Sequence, residues 1–169
     1  LSQDGHFIAN ASTNTSEVKI FEVVRKREKG QAEPVFQHVS NKHVMVLASG
    51  AHKSSISDVC FGGHDAQVAH GISDRVVTCG SDGFLVLWDI DVRFDLKADP
   101  EILAKVNVGS PLKRCAISMN GSKIICVDAS DNVHLYKCEA TSKSTRALKK
   151  LMVVENNGAI SGNIRQIEF

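Results

Sequence analysis

No apolar run in this chain approaches the roughly 18 residues that a membrane-spanning helix needs, and the first residues show no signal-peptide pattern. An excess of one charge is missing too. Twenty lysines and arginines stand against 19 aspartates and glutamates, so no global field draws the chain to nucleic acid or an acidic membrane. There is no Cys-x-x-Cys pair, which removes support for a zinc knuckle or a thioredoxin-type site. The five cysteines, Cys60, Cys79, Cys115, Cys126 and Cys138, are odd in number and widely spaced. They read as reduced core residues of a cytosol-facing domain, not as a disulfide framework. Two glycosylation-type triplets, Asn10-Ala11-Ser12 and Asn14-Thr15-Ser16, argue the other way, although such triplets arise often by chance. A phosphate-binding loop, His-Glu-x-x-His and Gly-x-Ser-x-Gly are all absent, so no residue pattern supports an enzyme, a cofactor or a metal.

What is present is the composition of a globular chain: 43% hydrophobic and 23% charged residues over 169 positions. The apolar residues fall in short runs. Candidate strands are 7–11, 18–23, 44–48, 56–61, 75–79, 84–90, 102–106, 112–117, 123–127, 133–136, 148–154 and 164–169. Turn-type clusters such as Ser81-Asp82-Gly83, Asn120-Gly121-Ser122 and Ser130-Asp131-Asn132 separate them. The pattern predicts an all-β chain. In Phe84-Leu85-Val86-Leu87-Trp88 both alternating faces are apolar, so this strand belongs to a sheet covered on both sides.

Two landmarks repeat. An apolar strand end running into a turn starts at positions 1, 61, 117 and, at the last residue, 169, giving spacings of 60, 56 and 52. Ile20-Phe21-Glu22, Leu87-Trp88-Asp89 and Leu135-Tyr136-Lys137 each close the third strand of a four-stranded unit. These units resemble the blades of WD-repeat β-propellers. Asp82-Gly83, Leu87-Trp88-Asp89, Asp91-Val92, Asp99-Pro100 with Leu103, Val18-Lys19-Ile20 with Glu22-Val23, and His134-Leu135-Tyr136 are similar to a transducin beta-like subgroup of that family. The resemblance implies about three blades of a larger, usually seven-bladed ring: an incomplete blade at about 1–49, blades at 50–106 and 107–154, and the first strand of another at 155–169. Three blades cannot close a ring, so the rest of the propeller is expected outside this sequence, and the 169 residues alone are expected to associate or misfold.

The family ties a blade together with four side chains, and the matching positions here are His52, Thr78, Asp82 and Trp88. Their role is structural: Asp82 would accept a bond from one His52 nitrogen, and Thr78 would link the other to the Trp88 indole. The other units depart from the pattern. Tyr136 and Phe21 replace tryptophan, and Ser130 and Thr15 stand where the turn aspartate belongs, so those blades are expected to rely on packing.

Candidate contact residues lie elsewhere. Arg25-Lys26-Arg27-Glu28-Lys29-Gly30 is the longest basic run and opens a polar loop to about Lys42; a solvated loop or a phosphate contact both fit it. A second basic stretch, 143–150, has no interleaved aromatics for base stacking. Arg93, Phe94 and Leu96 lie in a loop where partner anchors or blade-packing residues are equally expected. His64, His70 and Asp65 match no standard metal spacing. Asp89-Ile90-Asp91 fails as a calcium loop because Phe94 occupies the glycine position, and Ser110-Pro111-Leu112-Lys113 lacks the partner motifs of serine hydrolases.

The expected function is a non-catalytic scaffold whose rim binds other proteins. The resemblance further implies a cytoplasmic location at the endoplasmic-reticulum face, stress signalling or translation control, and a membrane anchor ahead of the propeller. An RNA- or ribosome-binding module using the basic loops is the alternative.

Overall fold

The short apolar runs become eleven strands in three antiparallel sheets, with no helix among the described residues of the computed structural model. The structure describes the chain except residues 3–4, 13, 31, 33, 48–49, 63–74, 91–99, 141–145 and 159–163. The first sheet holds β1 (Phe7–Ala11), β2 (Val18–Lys26) and β3 (Val35–Leu47), in the order β1-β2-β3. The second holds β4 (Ile56–Phe61), β5 (Arg75–Gly80), β6 (Phe84–Asp89) and β7 (Glu101–Asn107), each beside the next. The third holds β8 (Leu112–Ile117), β9 (Lys123–Asp128), β10 (Val133–Ala140) and β11 (Arg146–Val154), again in sequence order. Consecutive antiparallel strands joined by short turns are the meander of a propeller blade.

The middle sheet is covered on both faces, as the alternation in β6 predicts. Val86, Trp88 and Ile90 pack with Val18, Ile20, Met45 and Leu47 of the first sheet. Leu85 and Leu87 point the other way, into a cluster with Leu112, Ile117, Ile124 and Tyr136 of the third. Every residue of β5 is buried. Burial of each such large side chain is worth about 1.5–3 kcal/mol, so sheet-on-sheet packing dominates the stability. All five cysteines are free thiols that belong to, or pack against, the cluster between the second and third sheets.

Three sequence expectations are corrected. The polar loop after Arg25 is instead a long hairpin. β2 runs on to Lys26 and β3 starts at Val35, with Val23 opposite Val39 and Arg25 opposite Phe36. Val35, Phe36 and Val39 supply the β-forming residues there, and the ladder between the two strands satisfies the backbone despite their exposure. The first sheet has three strands, so the four-strand count fails for it. Residues 164–169 form no strand; they run past β8, where Arg114 Nε donates to the Arg165 carbonyl at 2.9 Å.

Packing on both faces of the middle sheet has a direct test. Leu87→Ala on one side and Ile20→Ala on the other are each expected to cost about 2–5 kcal/mol in denaturant unfolding of the full-length protein. Met119→Ala, at a residue 74% exposed, is expected to change nothing measurable. A cost below about 0.5 kcal/mol at Leu87 or Ile20 would contradict the two-faced burial.

Candidate functional site

The described surface is organised around two turns. In the second sheet the β5–β6 turn is Ser81-Asp82-Gly83, and Gly83 adopts φ +78°, a left-handed conformation that favours glycine. The Asp82 carboxylate gathers three donors: the Lys53 N–H at 2.6 Å, the Phe84 N–H at 3.1 Å and His52 Nδ1 at 3.2 Å. His52 Nε2 lies 2.8 Å from the Thr78 hydroxyl, which accepts the Trp88 indole N–H at 2.9 Å. The chain of bonds fixes the protons. The indole can only donate, so Thr78 turns its own hydrogen to Nε2, and Nδ1 carries the proton given to Asp82.

Burial sets the charges. Desolvation holds His52 below the usual histidine range, although its bond to Asp82 pulls the other way. For Asp82 burial alone would raise the carboxyl; the Lys53 N–H, His52 and the Phe84 N–H together outweigh it and hold it below the usual carboxylate range. A neutral imidazole beside a carboxylate that accepts three bonds is the arrangement of a structural brace. The sequence reading missed two members. A β-carbon on Gly80 would stand 2.7 Å from Asp82 Oδ1 and 2.8 Å from His52 Nδ1, so only glycine leaves room for the brace. Ser81 lies 2.8 Å from Ser54 and 3.1 Å from Ser55, Oγ to Oγ, which ties the turn to the segment before β4.

The third sheet has its own polar anchor, where packing alone was expected. Asp128 accepts the N–H groups of Ser130 and Asn132, the Asn132 amide and His134 Nε2, all at 2.9–3.0 Å. Burial opposes the ionised carboxyl, but His134, Asn132 and Ser130 hold it below the ordinary value. The aspartate sits at the end of β9, not at position 130, which is why matching by turn position overlooked it. The first sheet has no such cluster: Thr15 is exposed and bonds only the Ser12 and Glu17 carbonyls, and Phe21 meets His43 edge-on.

Beside these turns opens a cavity of about 490 Å³ lined by Ser57, Lys113, Arg114, Ile164 and Arg165. Two β-bulges help to build it. The β4–β5 register shifts between Ile56 and Asp58, and the β8–β9 register shifts between Leu112 and Arg114. The residues left over, Ser57 and Lys113, occupy equivalent places on neighbouring strands, and both line the cavity; bulges commonly re-aim side chains in this way. Asp58 joins the two strands through its Oδ2, which accepts the Cys115 N–H at 3.0 Å. Asp131 of the β9–β10 turn accepts Lys113 Nζ at 2.7 Å and the Ile164 N–H at 3.3 Å, which closes one wall.

The expected contact residues are scattered by comparison. Arg25 Nη2 donates to the Gly5 carbonyl at 2.9 Å, which gives it a structural task. Lys26 and Arg27 are exposed at the tip of the β2–β3 hairpin. Arg93, Phe94 and Leu96, and His64, Asp65 and His70, lie outside the described residues. Residues 146–150 of the second basic stretch are strand β11, and 143–145 are not described. Lys113 is ion-paired to Asp131, away from any serine nucleophile role. Asn10 and Asn14 of the glycosylation-type triplets are exposed, on β1 and in the turn after it. Among the described residues no group of three or more His, Cys, Asp or Glu could hold a metal, and no helix is long and apolar enough to cross a membrane.

Comparison with known proteins gives the setting. No family model matches the chain. It is 27% identical over 177 residues to human transducin beta-like protein 2, covering 85% of this chain and 38% of that protein. Among solved structures, the C-terminal WD40 domain of Sif2 superposes with a TM-score of 0.50 at 17% identity, over 89% of this chain and 33% of its own. The Chaetomium thermophilum protein Sqt1, solved bound to the N-terminus of ribosomal protein L10, gives 0.53 at 16% identity over 79% and 30%. The chain thus spans about a third of the proteins it matches.

Two measurements probe the braced turn. Thr78→Val keeps the shape but strands the Trp88 N–H and His52 Nε2, and is expected to cost about 2–5 kcal/mol. Thermal melts should show stability falling as pH drops below about 6.5, because unfolded histidine takes up a proton there while folded His52 resists it. A second loss follows below about pH 4, where Asp82 and Asp128 protonate more readily in the unfolded chain. A His52→Gln variant with an unchanged pH profile between 5 and 7 would refute the assignment.

Proposed function

We propose that this chain, which has the fold of a WD-repeat β-propeller and resembles transducin beta-like protein 2, forms part of a non-catalytic scaffold that docks other proteins. One observation carries the reading. The face bearing the β5–β6 and β9–β10 turns is held by two buried carboxylate networks, and an open cavity lies beside them. A rigid surface with a recess suits recognition, since little conformational freedom is lost when a partner binds. Nothing lining that recess pairs a nucleophile with a base, so the same surface lends no support to catalysis. The scaffold role is independent of the His52 brace as chemistry, because the brace faces inward and acts only by stiffening.

The finer reading places this scaffold at the cytosolic face of the endoplasmic reticulum, in stress signalling or translation control. It is supported by the resemblance to transducin beta-like protein 2 and, for ribosomal partners, by the Sqt1 complex named above. RNA binding through the basic run is the weaker reading here, because Arg25 is already bonded to Gly5.

Site-specific photo-crosslinking tests the scaffold. A photoreactive residue replacing Ser57 in the full-length protein is expected to trap a defined set of proteins in cells. The same residue at Thr15, on the remote β1–β2 turn, should trap few of them. Equal or absent trapping at the two positions would remove the docking reading, and traps dominated by proteins unrelated to the endoplasmic reticulum or translation would remove the finer one.

A further inference from the structure

Three cations meet at the cavity, and they are not equally occupied. Lys113 Nζ is 2.7 Å from Asp131 Oδ1, so that pair contributes little net charge. Arg114 spends two of its five N–H donors, one on the Arg165 carbonyl at 2.9 Å and one on the Lys113 carbonyl at 2.8 Å. These two bonds hold the guanidinium in place while its other three N–H groups have no acceptor among the described residues. The Arg165 guanidinium, on an exposed residue, has no hydrogen bond or ion pair among them either. Ser57 adds a hydroxyl donor at the bulge opposite.

The opposing charges are spent. Asp58 lies behind Arg114, but its Oδ1 accepts the Val59 N–H at 2.9 Å and its Oδ2 the Cys115 N–H at 3.0 Å. Asp131 is committed to Lys113 and the Ile164 N–H. The recess therefore presents two arginines and a hydroxyl, with donors in excess and acceptors used up. Planar guanidinium forks match a tetrahedral oxyanion better than a single carboxylate, and two of them balance the roughly −1.5 to −2 charge of a phosphate monoester at neutral pH. The volume of about 490 Å³ is that of a ligand pocket, with room for a phosphorylated side chain and its flanking backbone. None of the lining residues is aromatic, so the recess offers an RNA strand nothing to stack on.

We propose that this cavity binds a phosphorylated side chain of a partner protein, with Arg114 and Arg165 clamping the phosphate and Ser57 donating a third contact. The assignment rests on the docking function above and names its ligand class. It makes the scaffold conditional: a partner docks here after a kinase has acted on it.

The test uses the full-length protein and an immobilised nine-residue peptide library with phosphoserine at the centre and mixed residues elsewhere. Retention is expected to exceed that on the matching serine library by about tenfold or more, because charge-assisted bidentate contacts are lost without the phosphate. Arg114→Gln/Arg165→Gln should abolish the difference while the melting temperature holds, and Lys26→Glu/Arg27→Glu should leave it intact. Equal retention on the two libraries, or a difference that survives the arginine variant, would overturn the proposal. So would inorganic phosphate competing as tightly as the free phosphopeptide library, which would mark a free-anion site. A 12-nucleotide RNA binding more tightly than the phosphopeptides and sharing the arginine dependence would overturn it too. If the arginine variant loses melting temperature, Arg165→Gln alone decides, since the Arg165 side chain supports no other residue. Crosslinking at Ser57 separates the two readings: partners trapped there without any phosphate preference would leave docking standing and sink the phosphate clamp.

Discussion

The Thr78 hydroxyl has one hydrogen to give and lone pairs to receive, and the middle sheet uses both. It takes the indole proton of Trp88 and turns its own hydrogen to His52, which leaves the imidazole one proton for Asp82. Each link commits the next, so the three residue pairs behave as one unit. Thr78 is buried without measurable exposure, and so is Trp88. An unpaired polar group in such a place costs about 1–3 kcal/mol, which makes an incomplete chain worse than none. The brace crosses β5, β6 and the segment before β4, and it ends on the turn that shapes the outer face. Glycine at position 80 follows from the same constraint, since any side chain there would enter the space between Asp82 and His52.

From this point outward the structure becomes less regular and more chemical. The sheets pack through apolar side chains, but the strands that begin the second and third sheets each break register near their start. Those breaks put Ser57 and Lys113 into a recess between neighbouring strands, and Asp58 and Asp131 stitch its walls. Two networks of buried carboxylates, centred on Asp82 and Asp128, hold the turns beside it. Rigidity and recognition therefore have separate owners in this chain: the aspartates and histidines stiffen, while the arginines face the opening.

The legibility of these features follows their range along the chain. Strand alternation is local, so the double-faced burial of Phe84 to Trp88 could be read from five residues. The members of the brace lie up to 36 positions apart; nothing local joins His52 to Trp88, and it was the resemblance to a family that brought them together. Asp128 was missed because its partners Asn132 and His134 take the place of the expected histidine and tryptophan links. The hairpin from Lys26 to Val35 was read as a loop, because charged and polar residues on an exposed strand carry no alternation signal. The recess was beyond reach altogether. Arg114 and Arg165 are 51 positions apart, and a bulge has no signature in sequence when the extra residue is a serine or a lysine.

Hydrogen exchange at the Trp88 indole tests the brace most directly. The chain contains one tryptophan, and in the full-length protein its signal is identified by Trp88→Phe. The account predicts that this N–H exchanges as slowly as the backbone amides of β5 and β6, opening only with the sheet itself, and that Thr78→Val accelerates it by at least about a hundredfold relative to those amides. An indole that exchanges at the rate of a solvent-exposed one while the β5 and β6 amides stay protected would show that no hydroxyl holds it, and the brace would be contradicted.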